Sequence, residues 1–155
     1  MLIFFCIVFI SILICMISDL INNYEENKTM INTKILIVDD EQIVCDSVQK
    51  ILSKKGYIID KSLNVKEAVE KIKNTSYDLV IADLVIPNTS GMELLDIIKK
   101  YYPELDVIII TGYASYASAV KATKLGASNY LPKPFTPEEL TKVTEKVLQR
   151  RRDRE

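Results

Sequence analysis

From Lys34 to its end the chain alternates between two hydrophobic periods. Short apolar runs rich in β-branched residues, KILIV, YIID, DLVIA, DVIII and NYL, read as strands. Between them lie stretches with apolar residues three and four apart, the spacing of a helix face. The first, EQIVCDSVQKILSKKG, carries Val44, Val48, Ile51 and Leu52 and ends at Gly56. The second, VKEAVEKIKN, follows Asn64, a capping residue with Glu67 three positions on. The third, GMELLDIIKKYY, stops before Pro103, and the fourth, the Ala-rich SYASAVKATKLG, ends at Gly126. The fifth, TPEELTKVTEKVLQRR, has Thr136 as N-cap, Pro137 at the first helical position and Glu139 completing a capping box. Five strands alternating with five helices predict an α/β fold. The sheet is five-stranded and parallel, doubly wound as (βα)5. ILIV, LVIA and VIII are apolar throughout, as strands covered on both faces are.

Ahead of this domain the pattern changes. Residues 1–18 form an apolar segment: MLIFFCIVFISILICMI has no charged side chain and one hydroxyl, Ser11. As a helix it would span about 26 Å, slightly less than a hydrocarbon core of about 30 Å. Residues 19–32 read as a polar linker, 33–150 as the domain and 151–155 as a basic tail. Two readings of the apolar segment stand side by side. It is a membrane anchor, or it is upstream sequence before a true start at Met30, four residues ahead of the first strand. A secretory signal fits neither flank, since no basic residue precedes the apolar run and no small-residue cleavage site follows it. Lys28 is the only basic residue nearby, so charge does not fix an orientation.

Composition narrows the function. The chain has 155 residues, 48% of them apolar, enough for one domain with a substantial core and too apolar for wholesale disorder. A net charge of −1 argues against a protein that coats nucleic acid. No histidine is present, which removes Ser-His-Asp catalysis, His-ligated metals and a phosphohistidine within the chain. Cys6, Cys15 and Cys45 lack metal-ligand spacing and read as reduced, buried thiols, which places the chain in the cytoplasm. If residues 1–17 are retained, the alternative is the inner membrane, facing the cytoplasm. The glycines, at 56, 91, 112 and 126, form no G-x-G or P-loop cradle, which excludes a nucleotide-binding or oxidoreductase domain of that kind.

The chemistry collects where the strands end. In a doubly wound sheet, ligands bind beyond the carboxyl ends of the strands, where strand order reverses. The first strand runs into Asp39 and Asp40, the third into Asp83, the fourth into Thr111 and Gly112, and the fifth into LPKPF with Lys133 between two prolines. Glu41 suits a solvated helix start, where acids favour the dipole. Asp39 does not, because a charge on the end of a buried strand is costly without a partner. Three carboxylates on one rim call for a cation. With oxygen donors only, a hard ion such as Mg²⁺ fits, and it ordinarily works beside phosphate. A carboxylate between that cation and Lys133 is a plausible phosphoryl acceptor.

In these motifs, ILIVDDE, DLVIADLVIPNTSGMELL, VIIITGYAS and GASNYLPKPF, the chain resembles the receiver domains of two-component signalling, the response-regulator family. The resemblance covers roughly Met30 to Arg150, and its wording is that of nitrogen-regulation-type receivers. It implies a flavodoxin-like receiver fold with Asp83 as the phosphorylated residue. It further implies Mg²⁺ held by Asp39, Asp40, Asp83 and the backbone carbonyl of Val85. Thr111 would be the switch hydroxyl, Tyr130 the aromatic that turns inward with it, and Lys133 the partner of the phosphoryl oxygens across a cis Lys133–Pro134 bond.

The function expected is a single-domain response regulator, a signalling receiver and not an enzyme with a separate substrate. A sensor histidine kinase or histidine phosphotransfer protein supplies the phosphoryl group. A downstream protein is read by the face of the fourth helix, fifth strand and fifth helix. No direct nucleic-acid contact is expected, and membrane contact only if residues 1–17 are retained. Val85 and Tyr113 flank the path of a hydrolytic water and predict slow self-dephosphorylation. The alternative is a receiver-shaped interaction module that works without phosphorylation. Thr111 taken alone reads better as a core residue, Tyr130 reads as core as readily as a switch, and the basic tail reads as a solvated helix end.

Overall fold

The computed structural model describes residues 2–87 and 89–154, with side chains at 10–24 and from 32 onward in that range. Its contacts divide the chain into two units at Asn32 and Thr33. The first unit is one helix, α1 (Leu2–Asn32). It runs through the stretch read as a linker, which has no proline or glycine to stop it. Ile10, Ile14, Ile17 and Ile21 are exposed on it, and so is Cys15, where a buried thiol was expected; Cys45 in the second unit is buried. Among the described residues no helix is long and apolar enough to cross a membrane. The side chains of residues 1–9, half of the segment read as an anchor, lie outside the described residues.

The second unit carries β1 (Lys34–Val38), α2 (Gln42–Ser53), β2 (Ile58–Ser62), α3 (Val65–Asn74) and β3 (Leu79–Asp83). Two short strands follow, β4 (Val85–Ile86) and β5 (Thr89–Ser90). Then come α4 (Gly91–Tyr101), β6 (Asp106–Thr111), α5 (Tyr116–Lys124), β7 (Asn129–Pro132) and α6 (Pro137–Arg152). The five main strands pair in parallel in the order β2-β1-β3-β6-β7. β1, β3 and β6 are the inner strands, which explains why they are apolar on both faces.

Alternate residues supply the two sides of the core. Leu36, Val38, Val80, Ala82, Val107 and Ile109 pack with Ala68 and Ile72 of α3, Leu94, Leu95 and Ile98 of α4, and Ala122 of α5. Ile35, Ile37, Ile81, Ile108 and Ile110 belong to the opposite face, and α2 and α6 bring buried Cys45, Val48, Leu52, Leu140, Val147 and Leu148.

Local signals act largely as the sequence indicates. Thr136 and Glu139 form a complete capping box on α6. On α3, Asn64 accepts from the Glu67 amide at 2.8 Å, while the Glu67 carboxylate accepts from Leu63, so this box is half formed. The loop after Asp83 contains a two-rung antiparallel ladder, Val85 with Ser90 and Ile86 with Thr89. The basic tail also departs from a plain solvated end. Arg154 donates to Asp106 Oδ2 at 2.7 Å, and Ser128 donates to Asp106 Oδ1 at 2.6 Å. Asp106 is buried at the start of β6, and a buried carboxylate needs such donors.

Candidate functional site

β1 lies between β2 and β3 and is followed on either side by chain of later sequence, so strand order reverses there. Val38 pairs with Ala82, which sets the next residues, Asp39 and Asp83, side by side at the carboxyl edge. Both are buried, Asp39 completely and Asp83 at 6% exposure. The backbone of Asp39 is anchored by its amide donating to Ser62 O at 3.1 Å. Each carboxylate is aimed by an amide two residues on: Glu41 N donates to Asp39 Oδ1 at 2.9 Å and Val85 N to Asp83 Oδ1 at 3.1 Å.

The remaining oxygens share one cation. Lys133 Nζ donates to Asp39 Oδ2 and to Asp83 Oδ2, each at 2.7 Å. Its position comes from β7, which ends at Pro132, and from its own amide, which donates to Thr111 O at 2.8 Å. The Lys133–Pro134 bond is cis. Burial alone would lower the ammonium's affinity for its proton. The hydrogen bonds to Asp39 and Asp83 outweigh burial and raise its pKa above the ordinary lysine value.

Asp40 stands apart. It is exposed, and among the described residues no three acidic, histidine or cysteine side chains form a ready metal cluster. The three carboxylates expected on one rim are thus two joined by Lys133 and a third beside them. The donor set nonetheless fits a hard divalent cation. Two carboxylates share one ammonium and Asp40 follows Asp39 directly in the chain, so the rim has more negative than positive charge, and every acceptor is oxygen.

Thr111 ends β6 and is fully buried, with Oγ1 accepting from the Tyr113 amide at 3.2 Å. A β-carbon at Gly112 would meet nothing within 4 Å, so the space beside Thr111 is open. Val85 and Tyr113 border the site and are 47% and 75% exposed. Tyr130, on β7, is half-buried, and its hydroxyl lies 2.9 Å from Ser118 Oγ. Gly91 packs so closely beneath Asp83 that a β-carbon would overlap the Asp83 carbonyl oxygen. Ser118 and the two orienting amides escaped the sequence reading. Ser115 and Ser118, three apart at a helix start, were the available signal for the first. Backbone donors leave none.

The family model for the response regulator receiver domain matches residues 35–145. The nitrogen assimilation regulatory protein NtrX of Azorhizobium caulinodans is 36% identical over 117 residues, 74% of this chain and 26% of that protein. The regulatory protein VanR of Enterococcus faecium is 37% identical over 119 residues, 76% of this chain and 50% of that protein. The crystal structure of a CheY-like receiver domain protein from Methanospirillum hungatei JF-1 superposes with a TM-score of 0.77 at 32% identity, covering 79% of this chain and 98% of that one. The chain belongs to the response regulator receiver family, a signalling domain of two-component systems. It spans a quarter to a half of the length of the curated relatives it matches, 24% of one and 50% of another.

Proposed function

We propose that this chain accepts a phosphoryl group on Asp83 from a phosphohistidine donor, a sensor histidine kinase or histidine phosphotransfer protein. The face of α5, β7 and α6 then changes its affinity for a downstream protein. One observation carries the reading: Asp83, buried at the switch point of the sheet, is held 2.7 Å from an ammonium that Asp39 also holds. Such a carboxylate has an aimed lone pair, a neighbouring cation and little competing water.

A carboxylate oxygen of Asp83 forms the new O–P bond as the donor's N–P bond breaks, and the imidazole leaves with that electron pair. Lys133 follows the phosphoryl oxygens with its charge. Thr111 exchanges the Tyr113 amide for a phosphoryl oxygen, donating its hydroxyl proton as a hydrogen bond. Mg²⁺ would be held by Asp39, Asp40, Asp83 and the Val85 carbonyl, and when bound it offsets the negative charge of the transferred group. The absence of histidine from the 155 residues supports a separate donor. The setting we assign is the cytoplasm. Val85 is apolar and Tyr113 bulky at the mouth, so the phosphoryl group is long-lived. The conformational gap is a few kcal/mol, usual for such shifts.

Intact mass of the full chain after incubation with Mg²⁺ and a small acyl phosphate tests this. One added phosphoryl group is expected, absent without Mg²⁺ and absent in Asp83→Asn. A folded chain that gains none under any of these conditions overturns the acceptor assignment.

A further inference from the structure

Ser118 lies in the first turn of α5, and its hydroxyl meets four polar atoms. Its Oγ accepts from the Ser115 amide at 3.0 Å and lies 3.0 Å from Ser115 O, 2.9 Å from Ser115 Oγ and 2.9 Å from Tyr130 OH. Ser115, the N-cap, accepts from the Ser118 amide at 3.1 Å, so the pair forms a reciprocal capping box with serine in place of the usual acid. One proton and two lone pairs serve these four neighbours, so the bond to the Tyr130 hydroxyl draws on the same capacity that closes the cap.

From this geometry we infer that Ser118 is a positioning residue, a latch that holds the Tyr130 phenol and the first turn of α5 together. Releasing Tyr130 and loosening that turn are one event. The path from the acidic site is short. Thr111 is held by the Tyr113 amide, two residues before the Ser115 cap. Drawing Thr111 toward Asp83 pulls the segment that leads into the cap. The Tyr130 ring, half-buried on β7 beside β6, is released from the outer end of the same segment. A serine-only box lacks the charge-assisted bond that Glu139 gives α6, so it is the weaker of the two caps and the one suited to opening.

The coupling of this latch to phosphorylation rests on the proposed function, but the latch itself is testable without it. Amide hydrogen exchange at Ser115 and Ser118 is followed in the full chain, unphosphorylated, as wild type, Tyr130→Phe, Ser118→Ala and the double variant. Tyr130→Phe leaves every atom of the cap in place. It is nevertheless expected to speed exchange at both amides about fivefold, the factor one ordinary hydrogen bond gives. The double variant exchanges no faster than Ser118→Ala alone, and Ser118→Thr, which keeps a hydroxyl, restores slow exchange. If Tyr130→Phe exchanges like wild type, Ser118 is a cap and nothing more, and the latch is overturned. In chains whose mass reports the phosphoryl adduct, the same two amides exchange faster than before labelling. An adduct with unchanged exchange overturns the coupling while sparing the acceptor assignment, whereas a missing adduct overturns the acceptor assignment and leaves the latch to the unphosphorylated data.

Discussion

Lys133 Nζ stands 2.7 Å from Asp39 Oδ2 and 2.7 Å from Asp83 Oδ2, a single ammonium clamped between the ends of two neighbouring strands. Removing it leaves two buried carboxylates facing each other. Lys133→Met is therefore expected to lower unfolding free energy by about 3 kcal/mol in chelator at neutral pH. The pH dependence has a definite sign. A lysine whose pKa is raised in the folded state contributes stability that is complete below the unfolded value of 10.5 and is lost as pH rises through the folded value. The gap between wild type and Lys133→Met stays constant from neutral pH to about pH 9 and narrows above 10.5. Urea unfolding of both chains across that range is the check. A gap that is absent at neutral pH, or that persists undiminished in strong base, would contradict the clamp.

Asp40 offers the complementary test. It adds a negative charge to a rim that Lys133 only partly neutralises, and it has no donor among the described hydrogen bonds. Asp40→Asn is expected to be as stable as wild type, or more so, in chelator. Added Mg²⁺ raises the melting temperature of wild type, because a ligand of the native state stabilises it in proportion to its occupancy. The same addition leaves Asp40→Asn nearly unmoved. Equal Mg²⁺-induced shifts in the two chains would remove Asp40 from the cation site.

Much of this was legible in the sequence because the fold is built from strong local signals. Apolar runs of β-branched residues became β1, β3 and β6, and caps at Asn64 and Thr136 began helices where expected. The acids fell at strand ends because a charge cannot sit inside a doubly covered strand. What the sequence concealed depends on tertiary placement. The Arg154 bond to Asp106 joins residues 48 positions apart, and nothing local announces it. Ser118 was hidden because a serine-only capping box lacks the acid that marks one. Lys133 reaches Asp39 across 94 positions, yet its confinement between two prolines did foretell a fixed place.

On the proposed acceptor role of Asp83, Val85 and Tyr113 are expected to set how long a phosphoryl group lasts. Val85 flanks Asp83 through its own amide, and its apolar side chain, 47% exposed, cannot orient a water. Tyr113, 75% exposed, follows Thr111 by two residues, and its amide donates to Thr111 Oγ1. Val85→Asn with Tyr113→Ala is expected to shorten the phosphoryl lifetime by about tenfold, as a positioned and admitted water would. Loss of the adduct followed by mass over hours measures it. A wild-type lifetime of seconds would reject the assignment of these two residues.

Gly91 makes the strongest steric claim on the site. Its amide donates to Leu84 O at 2.9 Å and begins α4 directly beneath the acceptor loop. A β-carbon there would overlap the carbonyl oxygen of Asp83, a backbone atom fixed by the β3–β6 ladder. Gly91→Ala must therefore move either the start of α4 or the end of β3. The cost is expected to be about 1–3 kcal/mol, the usual range for overpacking. The readout that separates this from ordinary destabilisation is the acceptor itself. Displacing the Asp83 backbone spoils the aim of its carboxylate toward Lys133, so labelling by an acyl phosphate slows even where the chain remains fully folded. Gly112→Ala is the control, because its β-carbon would meet nothing within 4 Å and it begins an exposed loop. If both alanine variants label at the wild-type rate, close packing under Asp83 has no part in shaping the acceptor.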